Sequence, residues 1–231
     1  RYYKELINTC KIDIFVSGKI DSDISNLLIE NENIKNLQSR ESNYIPTKTI
    51  EKEKAEEKEV SESMDVTQGK LIIGMDINIE EEKKKYKVSV YNAILGGSAT
   101  SKLFQEVREK ASLAYSASSN FLRHKGNIII SCGIEIKKYQ KALEIIRKQL
   151  ENMKSGNITE EEIENSKKGI ISAIKGIEDE QDTEITYYYG QELSENEVST
   201  EDYISEILQV SKEDIINIAN SVNINTIYFL K

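Results

Sequence analysis

Two strand patterns joined by a short polar segment limit what this chain can fold into more than any other feature. Residues 127–136 (NIIISCGIEI) carry an apolar residue at every second position, which is the period of a strand with one buried face. Leu113–Leu122 precedes them, and RHKG at 123–126 is short enough for a tight turn. The sequence therefore predicts an antiparallel hairpin whose inner face carries Ile128, Ile130, Cys132, Ile134 and Ile136.

Three further segments predict strands, because they are short and rich in β-branched or aromatic residues. These are Lys11–Gly18 (KIDIFVSG), Gly69–Ile79 (GKLIIGMDINI) and Asn225–Leu230 (NTIYFL). The stretches between the strands have apolar residues at helical spacing, with polar residues suited to capping at several starts. The first predicted helix follows a cap at Asp21 or Ser22, and the second covers Tyr86–Leu95 and ends at Gly96 and Gly97. Two more span Thr100–Lys110 and Tyr139–Met153. A further helix follows a capping box at Thr159 and Glu162, and the last two begin at Thr200 and Ser211.

Residues 38–65 lose all periodicity and contain the charge run EKEKAEEKE, which is typical of a solvated, mobile connection. Helices that alternate with strands, together with one hairpin, predict an α+β fold with a mainly antiparallel mixed sheet and helices packed on one face. We expect residues 1–231 to form one domain with this charged connection inside it. The chain begins with Arg1 and a helical pattern that has no cap before it, so we also expect a piece of a longer protein.

Composition narrows the class of partner. A net charge of −9 and the absence of any basic cluster argue against binding to nucleic acid. No apolar run reaches the roughly 18 residues of a membrane-spanning helix, so no membrane association is expected. Cys10 and Cys132 lie far apart and outside any metal-binding or redox spacing, which favours a reducing compartment and a cytoplasmic protein.

The chain lacks the residues of a complete hydrolytic site. Its one histidine, His124, lies in the predicted hairpin turn between Arg123 and Lys125, where a zinc site or a serine-protease triad would lack partners. Neither a phosphate-binding P-loop nor a dinucleotide-binding glycine pattern is present. We therefore expect no metal site in this chain.

Arg108 and Tyr115 are the residues with chemical potential. An arginine binds a carbonyl or carboxylate oxygen through its planar guanidinium, and a tyrosine hydroxyl can donate to a developing oxyanion. If the helix ends near Lys110, the two side chains could face one opening. The spacing equally allows Arg108 to cap the last carbonyls of its helix and Tyr115 to pack in the core.

The segment NAILGGSATSKLFQEVREKASLAYSASS at 92–119 resembles the second half-domain of pitrilysin-like zinc peptidases, the family of insulinase and the mitochondrial processing peptidase. Similar stretches surround it, among them IDIFVSGKID, VTQGKLIIGMDI and GNITEEEIENSKKGI. The resemblance covers nearly the whole chain except the charged connection. It implies a clamshell of α/β half-domains that encloses a peptide.

In that family an inverted HxxEH motif on the first half-domain binds the zinc, and this chain contains no such motif. What matches is the Arg and Tyr pair that the family contributes from the opposing side of the chamber, placed here at Arg108 and Tyr115. The resemblance implies that this pair binds the substrate backbone and stabilises the tetrahedral intermediate. It also implies zinc on the missing half-domain or on a partner subunit, and an inactive isolated chain.

The glycine-serine segment has two interpretations. The resemblance gives Gly96, Gly97, Ser98 and Ser101 a place at the rim, where they would bind substrate; the alternative is a simple connection between helices. The implied partners are the N-terminal half-domain of the same protein, a homologous subunit in a homodimer or heterodimer, and a peptide substrate. Two alternatives remain open: a non-catalytic scaffold or peptide-binding member of the same fold, and an interaction module that binds basic segments through its acidic surface.

Overall fold

The computed structural model describes residues 1–19, 23–37, 56–79, 81, 83–194 and 196–231. The chain divides into two compact units, a smaller one of Arg1–Thr47 with Lys175–Val198 and a larger one of Lys48–Ile174 with Ser199–Lys231. That residues 1–231 act as a single half-domain stays a prediction. None of the described helices is both long and apolar enough to span a membrane.

The described helices and strands follow one another in runs of a single type along the chain. In chain order they are α1 (Tyr2–Thr9), α2 (Ile24–Glu30), α3 (Glu32–Lys35), β1 (Lys58–Glu62), β2 (Gly69–Asp76), α4 (Lys84–Leu95), a π-helix (Phe104–Lys110), β3 (Ala114–Leu122), β4 (Asn127–Ile134), α5 (Tyr139–Lys154), α6 (Glu160–Lys175), α7 (Gln181–Ser194), α8 (Thr200–Gln209), α9 (Lys212–Ser221) and β5 (Asn223–Leu230). Short 3₁₀ turns lie at Arg123–Lys125, Ile136–Lys138 and Ile177–Asp179.

The larger unit is built on one mixed sheet with the strand order β1-β5-β2-β4-β3. Among the described strands, β1 and β5 pair in parallel, and the other three pairings are antiparallel. The predicted hairpin is β3 and β4, joined through the turn at Arg123–Lys125 and Gly126, whose φ of 58° is one that glycine adopts without strain. The α+β prediction with a mainly antiparallel sheet is confirmed.

The core lies between one face of this sheet and a layer of helices. On β2, Leu71, Ile73 and Met75 are fully buried, and β4 places Cys132, Ile130 and Ile128 directly opposite them. Helix α4 contributes Val88, Val90 and Leu95, which are also fully buried. Each such side chain contributes about 1.5–3 kcal/mol through removal from water. Packing of α4 against α8 and α9, and of α5 against α9, completes the layer.

Most helix starts agree with their predicted capping. Glu162 N–H bonds to Thr159 Oγ1 (3.1 Å) and Thr159 N–H to Glu162 Oε2 (2.8 Å), which confirms the predicted capping box. Ser211 caps α9 as predicted. Helix α8 begins at Thr200 as predicted, and the Ser199 side chain before it accepts the backbone N–H of Asp202.

The predicted position of the α2 cap was wrong. Its side chain acceptor is Asp23, which takes the N–H of Asn26, whereas the predicted Asp21 and Ser22 lie outside the described residues.

Lys11–Gly18 was wrongly predicted as a strand. A strand needs a partner for its backbone groups, and this segment pairs with no strand among the described residues of the smaller unit. It packs instead on α7, where the Phe15 ring meets Tyr189 edge-on (5.4 Å between ring centres) and Ser17 bonds to Glu184. Ile12, Ile14 and Val16, the alternating residues of the predicted strand, are exposed, so the pattern corresponds to no buried strand face.

The predicted mobile connection at 38–65 was wrong over its last part. Lys58–Glu62 forms β1, in parallel register with residues 226–230 of β5, while residues 38–55 lie outside the described part of the chain. All five side chains of β1 are exposed, so the strand has no hydrophobic pattern for a sequence argument to detect. Two smaller corrections concern strand ends: β2 stops at Asp76, and Ile136 lies in a 3₁₀ turn beyond β4, 37% exposed.

We expect the pairing of β1 to slow amide hydrogen exchange at residues 58–62. Backbone hydrogen bonds to β5 must open before exchange, so peptides that cover β1 should exchange at least about tenfold more slowly than an unstructured chain. Hydrogen-exchange mass spectrometry measures this directly, with the rate calculated for an unstructured chain as the comparison. Exchange at the unstructured rate throughout 58–62 would refute the strand.

Candidate functional site

Arg108 lies on the π-helix, which follows α4 after a short loop. The sequence predicted an ordinary α-helix over Thr100–Lys110, whereas the structure has a π-helix that begins at Phe104. At its end the N–H of Ala111 donates to the carbonyl oxygen of Glu106, five residues earlier (3.3 Å). Segments of π-helix are rare and occur often at functional sites. The wide last turn carries Arg108 towards solvent while Val107 remains fully buried.

The Arg108 side chain packs on the Phe104 ring and remains accessible to solvent. Its guanidinium carbon lies 4.5 Å from the centre of the Phe104 ring, and its Nε lies 3.8 Å from Glu109 Oε1. The side chain is 42% exposed. It donates no hydrogen bond to a carbonyl in the described part of the chain, so the alternative role as a helix cap is wrong. The guanidinium can therefore receive an oxygen from another molecule.

The turn between Arg108 and Tyr115 is fixed by backbone bonds and by an unusual conformation. Ser112 has a φ of 50°, a left-handed value that non-glycine residues seldom adopt. The N–H of Leu113 donates to Val107 O (3.0 Å), and Lys138 Nζ donates to Ser112 O (3.3 Å). Strained residues of this kind concentrate at functional sites, where surrounding contacts hold them.

Tyr115 stands on a β-bulge at the start of β3. The register with β4 passes from Ala114 opposite Ile134 to Ser116 opposite Gly133, so Tyr115 has no residue facing it. A bulge turns the side chain away from the regular alternation. Tyr115 is 71% exposed and makes no hydrogen bond or ring contact with any residue that the structure describes. The alternative in which Tyr115 packs in the core is therefore wrong.

The π-helix packs against β3, so the two side chains lie on neighbouring elements joined by the fixed turn. Within the described sheet β3 is an outer strand, paired only with β4. Along β3, Tyr115, Ser116, Ser118 and Asn120 are exposed. The result is an accessible guanidinium and an accessible phenol beside a strand edge.

The segment from Gly96 to Ser101 joins α4 to the π-helix. Gly96 is buried against β3, where its carbonyl accepts the N–H of Ser119 (2.9 Å), and a side chain there would start 2.5 Å from that nitrogen. Gly97 is exposed, although an added Cβ would meet Ala93 Cα at 2.9 Å. Ser101 is buried and donates to Ser98 O (2.6 Å), and Ser98 is exposed. Their substrate-binding role stays a prediction.

Sequence reasoning missed two contacts that position this segment. Ser119 Oγ donates to Asn92 Oδ1 (2.8 Å), which ties the end of α4 to β3. Lys102, with a side chain only 10% exposed, donates from Nζ to Glu162 Oε1 (2.7 Å) and to Asn157 O (2.9 Å). Burial alone would raise the pKa of Glu162, but the bonds from Lys102 and Thr159 hold it below its ordinary value. Both contacts join residues distant in sequence, so no local pattern signals them.

Residues 1–170 match the family described as the peptidase M16 inactive domain. The chain belongs to that family. This match confirms the resemblance drawn from residues 92–119 and covers the π-helix, β3 and the turn between them.

Curated relatives of this M16 inactive domain include one named as an inactive metalloprotease and one named as a zinc protease. The probable inactive metalloprotease YmfF of Bacillus subtilis is 34% identical over an alignment of 233 positions that covers 99% of this chain and 53% of that protein. The uncharacterized zinc protease YmxG of the same organism is 32% identical over 120 residues, covering 51% of this chain and 29% of that protein. The chain thus spans about half the length of the relative that it matches throughout.

Solved structures support the same fold. A conserved protein from Enterococcus faecalis V583 superposes with a TM-score of 0.82 at 28% identity, over 100% of this chain and 54% of that one. A peptidase M16 inactive domain from Pseudomonas fluorescens superposes with a TM-score of 0.63 at 18% identity, over 79% of this chain and 45% of that one. The second likeness concerns the fold alone.

The M16 inactive domain offers no fit for zinc in the part that the structure describes, where no group of three or more metal-binding side chains comes together. His124 is half-buried in the turn at the far end of β3, about 25 Å along the strand from Tyr115 at the usual rise per residue. Burial, followed by the charges of Arg123 and Lys85, lowers the pKa of His124. These positive neighbours oppose binding of a cation.

Lys85 is the most deeply buried cation of this M16 domain among the described residues, at 4% exposure. Burial first, and then the charge of Arg123, lowers its pKa from 10.5 to about 8. The unfolded chain consequently holds the Lys85 proton to a higher pH than the folded chain does.

Replacing Gly96 by alanine should destabilise the protein by about 1–3 kcal/mol, because the new methyl group would overlap Ser119 at the closest contact of α4 with β3. The matched control is Gly169→Ala on α6, where an added Cβ meets nothing within 4 Å. Relief of the glycine entropy cost should there stabilise the helix by about 0.5–1 kcal/mol. Urea unfolding measures both, and equal effects of the two substitutions would contradict the assigned contact.

Stability should rise with pH between about 8 and 10.5, the folded and unfolded pKa values of Lys85. The cost of the buried charge is fully present below pH 8 and disappears as the folded chain releases the proton. The slope has an upper limit of about 1.4 kcal/mol per pH unit for one proton. Lys85→Met should reduce this slope in urea titrations at several pH values, whereas Lys84→Met should retain it because Lys85 remains. An unchanged slope in Lys85→Met would contradict this origin.

Proposed function

We propose that this chain is the C-terminal half-domain of a pitrilysin-like peptidase and supplies Arg108 and Tyr115 to a peptide-cleaving chamber. The observation that carries the proposal is that both side chains are exposed on neighbouring elements, with neither committed to the core nor to a helix end. The membership of the chain in the M16 inactive-domain family supports the same role.

Arg108 is suited to hold a peptide carbonyl. Its guanidinium rests on the Phe104 ring and meets only one carboxylate, at 3.8 Å. An exposed ion pair at that distance contributes little and gives way easily to a better acceptor. The planar donor fork can then bind a carbonyl oxygen, and binds it more strongly when that oxygen gains negative charge.

Tyr115 is suited to donate a hydrogen bond beside an extended peptide. The bulge lifts its ring from the sheet at the start of an outer strand. An outer strand offers backbone groups to which an extended segment can add. Donation from the Tyr115 hydroxyl and the Arg108 guanidinium would stabilise an oxyanion on the scissile carbonyl. Gly97 and Ser98, exposed at the rim, would contact the same peptide, with Gly96 and Ser101 supporting the loop.

The remaining chemistry would come from outside this chain. We place the zinc on an N-terminal half-domain of the same protein or on a homologous subunit in a homodimer or heterodimer, because the described residues here do not fit a metal. The isolated chain would be inactive. The two thiols form no disulfide, which is in keeping with a reducing, cytoplasmic setting.

A second candidate function is a non-catalytic scaffold or peptide-binding subunit of the same fold. It is favoured by the name of YmfF, a probable inactive metalloprotease that is similar to this chain over 99% of its length. In that case Arg108 and Tyr115 would bind an extended peptide without cleavage. The presence or absence of HxxEH in the other half of the full protein distinguishes a self-sufficient peptidase from a partner or scaffold.

Cleavage of a quenched peptide by the full protein, with its homologous subunit where one exists, tests the catalytic role. Arg108→Ala and Tyr115→Phe should each lower kcat by on the order of 10² to 10³, the usual effect of removing one oxyanion donor. The control is Lys110→Ala on the same π-helix, which removes an exposed side chain paired with Glu106 and should leave kcat unchanged. Near-normal turnover in both variants would refute the role.

If the full protein cleaves nothing, fluorescence anisotropy with an extended labelled peptide tests the scaffold function. Loss of affinity in Arg108→Ala and Tyr115→Phe, with Lys110→Ala unaffected, would support peptide binding without cleavage. Binding of a basic peptide that weakens steeply with salt and ignores all three substitutions would instead indicate an acidic interaction module.

A further inference from the structure

A cavity of about 600 Å³ lies inside the larger unit, between α4, α5, α9 and the sheet. Its inner wall is apolar, and its outer part is polar and charged. The inner wall is formed by Met75, Tyr91, Leu150, Ala219, Val222 and Ile224. This volume and this division into an apolar interior and a few polar groups are typical of sites for small molecules. The candidate residues Arg108 and Tyr115 do not line it.

The tyrosine in the inner wall has an unusual environment. Tyr91 is 1% exposed, and its hydroxyl makes no hydrogen bond with any residue in the described part of the chain. Burial raises its pKa well above the ordinary range, so the phenol keeps its proton as a donor. A buried hydroxyl without a partner is costly and uncommon in proteins. Its position in the wall offers this donor to a molecule inside the cavity.

The charged groups at the outer part of the cavity indicate which molecules can enter. Arg147 donates to both carboxylate oxygens of Glu57, with Nη1 3.2 Å from Oε2, and Lys154 Nζ pairs with Glu151 Oε1 at 2.8 Å. Both cations of the lining are therefore already neutralised, while Glu56 adds a further carboxylate. With three carboxylates and two cations, this rim repels anions.

We propose that this cavity is a binding site for a small apolar molecule that carries a hydrogen-bond acceptor and no negative charge. The apolar body fills the space between Met75, Leu150 and Val222, and the acceptor receives the proton of the Tyr91 hydroxyl. The site is independent of the proposed peptidase role, since it shares no residue with the Arg108 and Tyr115 surface.

A fluorescent naphthalene ketone, propionyl-dimethylaminonaphthalene, is a suitable probe for the full-length protein. Its apolar rings suit the cavity, and its emission depends on the polarity around its carbonyl and on hydrogen bonds to that oxygen. Saturable binding is expected. Tyr91→Phe should weaken binding about five- to tenfold, the effect of one neutral hydrogen bond, and should shift the emission of the bound probe to shorter wavelength.

Two further variants locate the effect. Tyr228→Phe removes a phenol whose hydroxyl donates to Glu62 Oε2 (2.9 Å) outside the cavity, and should bind the probe as the unmodified protein does. Ala219→Met puts a longer side chain into the buried wall and should abolish binding. Circular dichroism and the unfolding midpoint establish that each variant is folded. Tyr91→Phe should be at least as stable as the unmodified protein, because it removes an unpaired buried hydroxyl.

Competition identifies the class of ligand. Acetylnaphthalene, a neutral ketone, should displace the probe, whereas naphthoate, an anion with the same rings, should be at least about tenfold weaker because of the acidic rim. Absence of saturable binding, equal affinity in Tyr91→Phe and the unmodified protein, or stronger competition by naphthoate would each overturn the proposal.

Discussion

Strand β2 lies at the centre of the five-stranded sheet, with β5 on one side and β4 on the other. Its residues Leu71, Ile73 and Met75 are fully buried, so a slip of one residue in register would turn all three to the opposite face. Because both neighbouring strands and helix α4 pack on this face or beside it, the burial of β2 determines where β3 lies. The candidate site at the start of β3 therefore depends on a hydrophobic constraint two strands away.

Between that rigid base and the site lies a short segment held by polar contacts. The contact of Gly96 with Ser119 fixes the end of α4, and the bonds of Lys102 to Glu162 and Asn157 fix the approach to the π-helix. The left-handed Ser112 and the bulge at Tyr115 then redirect the chain within four residues. These features cost some stability locally, and the packed sheet and helices around them maintain the arrangement.

The larger unit thus has two surfaces of different chemistry. One is open and presents an arginine and a tyrosine beside an outer strand, as suits an extended peptide. The other is the cavity beneath α4, where the buried Tyr91 and an acidic rim suit a small uncharged molecule. Helix α4 takes part in both, since Tyr91 lines the cavity and Asn92 bonds to Ser119 on β3.

The sequence by itself determined the features that repeat locally. The alternation at 127–136 gave the hairpin, the helical spacing at 86–95 gave α4, and the pattern of Thr159 with Glu162 gave the start of α6, because each rests on neighbours a few residues apart. It also singled out Arg108 and Tyr115, through resemblance to a family. Tertiary structure decided what depends on distant partners. Lys11–Gly18 is no strand because none of the described strands pairs with it, and the exposed Lys58–Glu62 is a strand because β5 pairs with its backbone. Arg108 is exposed on a π-helix and Tyr115 on a β-bulge, and no local sequence pattern predicted either irregularity.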